Sequence, residues 1–259
     1  MSWALRRKIL YIIGVVLFFA LLFGVPLFYW YNSIPSSCTN GKQDQGETSP
    51  DLGGPCRFSD PSTLAPSSVL WARAFKVRDG EYSAAGYIQN PNDDAGVGKI
   101  SYQFKLYDSE NVLVAERAGS TYVMPGGVTP VFENNISAGN RIVTHTFLTT
   151  QKDWRWEHLR DASKAIVVSD RKISDVMTNP RISAEARNSS VKNILNISFI
   201  AVAFDTAGNA LAASASKIDR LDAGQSTSLV FTWPVPFAEP VGRVDILPIL
   251  PPVPAWTAK

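Results

Sequence analysis

An all-β ectodomain of two tandem sandwiches behind a single N-terminal transmembrane helix is the fold class this sequence predicts. Three observations predict it. Ile9 to Tyr31 holds no charged residue and directly follows Arg6, Arg7 and Lys8. Beyond Ser68 the chain runs in short alternating stretches broken by turn residues, with almost no helical periodicity. The same strand-and-turn pattern then returns about 97 residues later.

The apolar stretch comes first. Its 23 residues at about 1.5 Å rise reach roughly 34 Å, enough to cross a hydrocarbon core of about 30 Å with some tilt. The basic cluster predicts a cytoplasmic N-terminus over residues 1–8, and Phe28, Tyr29, Trp30 and Tyr31 form an aromatic belt for the far interface. Residues 9–31 read as an uncleaved signal anchor, which puts everything after them on the extracytoplasmic side of the cell membrane. A lipoprotein or a cleaved signal peptide is the alternative, raised by Ser36-Ser37-Cys38. Against it stand the length of the run, its bulky aromatic end and Pro35, where processing sites want an aliphatic residue. Gly14, Gly24 and Pro26 are tolerated in a membrane helix. No clean G-x-x-x-G pair predicts a helix dimer.

Of 259 residues, about 225 follow the anchor, enough for two ordinary domains. The net charge of +2 gives no electrostatic footprint for nucleic acid. Residues 32–68 are a disulfide loop and a Pro/Ser-rich spacer. Outside the cytoplasm, Cys38 and Cys56, the two cysteines of the chain, most simply form a disulfide. Closing a loop of this size is worth about 3 kcal/mol in the chain-entropy picture. The enclosed sequence has no apolar core, so it needs the staple.

The loop resembles a short motif of bacterial surface proteins, notably of the candidate phyla radiation, of the form C-x-D-G-x-x-N-x-x-E-x-x-x-D-C-G-G-x-C. Cys38, Gly41, Glu47, Asp51, Gly53, Gly54 and Cys56 match it. Asn40 and Asp44 exchange Asn and Asp relative to the motif, and Leu52 replaces its inner cysteine. Asp44, Glu47 and Asp51 are candidate Ca²⁺ ligands. The other reading is a solvated acidic turn, since EF-hand spacing is missing.

The strands follow. Val69–Val77 and Glu81–Gln89 pair across Asp79-Gly80, a hairpin signal. Ile100, Tyr102, Phe104 and Leu106 alternate with Ser101, Gln103 and Lys105 in a half-buried strand. Asp108-Ser-Glu-Asn111 turns it, and Val112–Ala115 returns. In the second copy Arg181–Ala186 is a strand, Leu195–Phe204 is another, and Asp205 takes the place of Asp108. Matching Ile136-Ser-Ala-Gly139 to Leu221-Asp-Ala-Gly224 reduces the offset to about 85, which predicts about 12 extra residues near Met124-Pro-Gly-Gly127 in the first copy.

Phe104-Lys105-Leu106-Tyr107-Asp108 spells F-x-L-Y-D, and Ala201-Val-Ala-Phe204-Asp205 is a degenerate form. Both copies resemble the FxLYD domain of bacterial and archaeal envelope proteins. The resemblance covers most of residues 69–250, better in the first copy. It implies two immunoglobulin-like β-sandwiches, an extracytoplasmic location and no catalytic residues. The expected domains are 69–170, including a linker, and 171–250, with a proline-rich tail at 251–259.

No enzyme fingerprint such as G-x-S-x-G, H-E-x-x-H or a P-loop occurs. His145 alternates with Val143 and Phe147 in a strand, and His158 sits in a polar linker near Trp154 and Trp156. Asp93-Asp94 is one acidic pair on one loop, not two carboxylates across a substrate. Asn135, Asn188 and Asn196 begin N-x-S/T triplets, read as coincidence.

One asymmetry stands out. Where the first copy's outer strand face is Ser101, Gln103, Lys105 and Tyr107, the second copy has Ser198, Ile200, Val202 and Phe204. Ile200, Val202 and Phe204 are the candidate interface, worth about 4–9 kcal/mol of transfer free energy if hidden. The cover is either internal, from the first domain or the Trp154–Leu159 linker, or an external partner. The Leu247–Trp256 tail is polyproline-prone, either a docking segment or the exit of a last strand. The whole predicts a non-enzymatic binding or scaffolding protein of the cell envelope, without cofactors, anchored in the membrane beside a possible envelope-protein partner. Its rivals are a structural spacer with no ligand and a hydrolase with an unrecognised site.

Overall fold

The computed structural model describes residues 3–33, 37–44, 46–151 and 153–255. Pro35, Ser36 and Trp256, which entered the lipoprotein and tail readings, lie outside them. The chain divides into two units, Met1–Asp60 and Pro61–Lys259.

The first unit holds one helix, α1 (Trp3–Ser33), with Pro26 inside it. Its Leu5–Tyr31 stretch is long and apolar enough to cross a membrane. Its apolar side chains are exposed to their surroundings along its length, as a helix solvated by lipid requires. Its other described residues include the loop closed by the Cys38–Cys56 disulfide, with Cα atoms 5.5 Å apart.

Among its described residues the second unit has fourteen strands in four antiparallel sheets. Strands β1 (Ser68–Arg78), β2 (Glu81–Asn90) and β5 (Gly127–Ser137) form one sheet in the order β1-β2-β5. In the second sheet β3 (Ala95–Tyr107) is flanked by β4 (Leu113–Val123) and by β6 (His145–Thr150). It is extended by β7 (Glu157–Arg160) and β14 (Val253–Pro254). The third sheet is β8 (Ile166–Ser174), β9 (Arg181–Asn188) and β12 (Ser226–Thr232), in the order β12-β9-β8. The fourth is β10 (Ile194–Phe204), β11 (Ala210–Leu221) and β13 (Arg243–Ile249), in the order β11-β10-β13.

Sheets one and two enclose a core built on Ile88, Ile100, Phe104, Leu106 and Val131. Sheets three and four enclose another around Ile182, Ile197, Phe199, Leu229 and Phe231. The two pairs are called modules 1 and 2 below. The alternation expected in β3 is present, with Ile100, Phe104 and Leu106 at 0% exposure. The Asp79-Gly80 hairpin is also present, Gly80 taking φ +72 where a side chain would strike the Gly139 carbonyl.

The repeat is more regular than its sequence suggests. Tyr107 pairs with His145 as Phe204 pairs with Arg243, an offset of 97 to 98 residues that persists to the last paired strand. Asn90 and Asn188, both fully buried, hold the corresponding loops. Each amide nitrogen donates to backbone carbonyls across its loop, Ala95 and Met124 in one case and Leu221 and Lys192 in the other. The expected insertion near Met124 is therefore absent. Ile136-Ser-Ala-Gly139 closes β5, whereas Leu221-Asp-Ala-Gly224 closes β11, so the two stretches are not equivalent. Both end a strand in small, turn-forming residues, and that generic chemistry invited the mismatch. Two further strands lie where linker or boundary was expected. His158 is on β7, and β8 runs across the boundary set at residue 170.

Candidate functional site

The second unit's cores leave one more apolar layer, between the modules. Ile200, Val202 and Phe204 project from the far face of β10 and are 5%, 0% and 2% exposed. They form one cluster with Phe75 of β1 and Ala85 and Tyr87 of β2, flanked by Trp71 and Phe132. The candidate interface is thus a seam inside the molecule, and module 1 is its occupant. Trp154 and Trp156, the linker residues expected to supply a cover, pack against the module 1 core instead.

The sequence of β2 explains the other half of the seam. Tyr82, Ala84 and Ile88 face the module 1 core, while Ala85 and Tyr87 face module 2. A strand with small or apolar residues at both parities is buried on both faces. That parity, in Tyr82-Ser-Ala-Ala-Gly-Tyr-Ile88, was the available signal, and sequence reading passed over it.

Trp71, Tyr87 and Phe204 meet as three aromatic rings, with centroid separations of 4.7, 5.9 and 6.2 Å. The Arg243 guanidinium lies 4.3 Å from the Phe204 ring centroid and 3.1 Å from Asp245. The Tyr87 hydroxyl donates to Asp245 Oδ2 at 3.3 Å. Burial, foremost, and the neighbouring Asp245 carboxylate push the Tyr87 phenol far up, so it stays a donor throughout the physiological range. Arg73 donates to the Ala210 carbonyl at 2.8 Å, and the Trp233 indole to the Ala213 carbonyl at 3.1 Å. These two side chains occupy carbonyls along β11, an edge strand, and blunt it.

Beside the seam is a cavity of about 440 Å³. Phe75 and Ser83 of module 1, Ala213 and Ser214 of β11, and Trp233 and Phe237 beyond β12 are among its walls.

In the disulfide loop the acidic residues replace a core with hydrogen bonds. Asp51 accepts the Asn40 and Gly41 amides at 2.9 and 2.8 Å. Glu47, 6% exposed, accepts the Asp44 and Asp51 amides through Oε2 at 3.3 and 3.1 Å. Asp44 accepts the Asn40 side-chain amide at 2.8 Å, while its Oδ1 is buried without a protein partner. Cys38, Glu47 and Cys56 lie together, but both sulfurs are spent in the disulfide. A cation held by Asp44, Glu47 and Asp51 would have to draw most of these oxygens from their amides.

His145 is exposed at the start of β6. His158 Nδ1 lies 3.8 Å from Asp94, and its Nε2 is buried without a protein partner. Of the N-x-S/T asparagines, Asn188 is fully buried, whereas Asn135 and Asn196 are exposed with φ of +53.

No family model and no curated protein matches the chain. Among solved structures it is similar to a beta-glucuronidase from glycoside hydrolase family 2, at 13% identity and a TM-score of 0.23 over 66% of this chain and 24% of that one. It is similar too to a Bacteroides uniformis beta-glucuronidase, at 12% identity and a TM-score of 0.20 over 68% and 22%. The chain spans under a quarter of the length of either enzyme, and a likeness this slight bears on neither fold nor activity.

Proposed function

We propose that the chain is a single-pass membrane protein of the cell envelope that acts as a non-enzymatic scaffolding element. Its N-terminus faces the cytoplasm, and two tandem immunoglobulin-like sandwiches, within residues 69–250, stand on the other side. The basic residues before α1 support that orientation. So does the disulfide, which persists outside the reducing cytosol. The repeated order β1-β2-β5 against β4-β3-β6, answered by β8-β9-β12 against β11-β10-β13, supports the immunoglobulin-like reading. The F-x-L-Y-D stretch at Phe104–Asp108 supports the family resemblance.

The observation that carries the scaffolding role is the seam. A linked pair of domains ordinarily moves on a small polar contact. Here aromatic and aliphatic side chains from both modules form a third core, so the pair behaves as one stiff body on a membrane tether. A tether confines that body to two dimensions and raises the local concentration of membrane-borne partners. The covered face of β10 and the blunted edge of β11 also favour the neighbouring reading, a spacer that holds distance without a ligand.

The orientation is tested with Val191→Cys, at a position 92% exposed, and a membrane-impermeant maleimide on intact cells. Labelling without permeabilisation is expected, and labelling only after lysis overturns the orientation. Affinity capture from membranes separates scaffold from spacer: a specifically enriched envelope protein supports the first, and its absence leaves the second.

A further inference from the structure

We infer that the cavity beside the seam is a binding site for a neutral saccharide unit of one or two rings. The volume, about 440 Å³, lies in the range of small-molecule sites. Its most buried polar residue is Ser83, 4% exposed, which lines the cavity and whose hydroxyl, open to solvent from the cavity side, makes no hydrogen bond among the described residues. A ligand that displaces the solvent there must give this hydroxyl a hydrogen bond or leave it unpaired, so a polar group arriving from the cavity side is favoured. The adjoining β2 residues on that face, Ala85 and Tyr87, go into the seam.

The walls decide the ligand class. Phe75, Phe132, Trp233 and Phe237 line the cavity, with the Trp233 and Phe237 rings 5.2 Å apart. Asn134, Asn135, Ser214 and Thr232 add amides and hydroxyls. Lys76 is the one charged residue among the described walls, and Asp79 holds its ammonium at 2.7 Å. An anionic or cationic ligand would therefore find no free counter-charge. A wholly apolar ligand would leave Ser83 unpaired. A sugar ring presents C–H faces to aromatic rings and hydroxyls to amides, and it carries no charge. The inference goes beyond the scaffold reading and does not depend on orientation or on a protein partner.

The test uses the full chain in lipid nanodiscs, because glycoside detergents would themselves offer sugar. Cellobiose, chitobiose and maltose are titrated by calorimetry and by saturation-transfer NMR, with toluene as the apolar probe. Saturable binding of at least one sugar is expected, with a Kd of about millimolar order. Ser83→Ala should weaken it roughly tenfold while thermal stability holds, since the hydroxyl has no protein partner to lose. Ser214→Leu, which fills the cavity, should abolish it. The inference is overturned if none of the sugars saturates, if toluene binds and they do not, or if both variants bind as the parent does. Any of these results leaves the scaffold reading standing.

Discussion

The two modules share one fold and wet it differently. In module 1 the outer face of β3 is Ser101, Gln103 and Lys105, exposed or half-buried; in module 2 the same positions of β10 are Ser198, Ile200 and Val202, and the last two are buried. The sheets behind them reverse the assignment. β2 is buried on both faces, whereas β9 alternates, with Glu185 and Arg187 exposed between Ala184, Ala186 and Asn188. Each module thus has one sheet that ends in solvent and one that ends in protein. The difference teaches how a repeated fold limits its own stacking: the front of module 2 fits the back of module 1, and both remaining faces are mostly polar, with Phe147, Val167 and Val230 exposed singly, as in the capping repeats of a solenoid.

Exchanging equivalent residues attacks that comparison most directly. Val202→Lys places an unpaired ammonium in the seam and should cost on the order of 5 kcal/mol. Its counterpart Lys105→Val should change stability by no more than about 0.5 kcal/mol. Urea unfolding followed by tryptophan fluorescence measures both, and similar losses would mean that the two faces are not distinct environments. Phe204→Ala should cost about 3 kcal/mol by opening a void among Trp71 and Tyr87. Tyr107 is half-buried and stacks edge-on only against the exposed Phe147, so Tyr107→Ala should cost about 1 kcal/mol. Smaller still is Tyr87→Phe, which removes only the bond to Asp245 and should cost about 1 kcal/mol or less. Combined with Asp245→Asn it should be less than additive, because both changes break one contact.

Much of the fold was legible in the residues, and the gaps share a physical cause. Period two marked β3, the repeat carried that reading to β9 and β10, and Asp79-Gly80 marked its hairpin by backbone demand. The four residues of β7 are too few to show alternation, and β8 lies exposed at a sheet edge. The candidate interface was legible from one side only. Ile200, Val202 and Phe204 announce themselves as apolar where the repeat predicts polar. Tyr87 and Ala85 do not, because a doubly buried strand looks like any apolar run. Ser83 gave no signal at all: a serine in a strand acquires meaning only when the chain around it has folded.

The turns that the modules share make the finest test of their equivalence. Asp108 accepts the Glu110 and Val112 amides at 3.0 and 2.9 Å and pairs with Arg141. Asp205 accepts the Asn209 amide at 2.8 Å and its side chain at 2.9 Å, with no arginine among its hydrogen-bond partners. The Val112 amide foremost, then Arg141 and the Glu110 amide, hold the Asp108 carboxyl below its usual range. For Asp205 the Asn209 side chain does so first, then the Asn209 amide. A carboxylate depressed on folding stabilises above its unfolded value, about pH 3.9, and that contribution is lost as pH falls through the lower folded value. The melting temperature should therefore drop below about pH 4, and Asp108→Asn or Asp205→Asn should each flatten that limb. Salt separates the two turns. It should weaken the Asp108 contribution, part of which is an ion pair at the surface, and leave the Asp205 contribution nearly intact, because neutral donors are not screened. Equal salt dependence in the two variants would show that Arg141 adds nothing to its turn, and that the modules differ at the seam but not here.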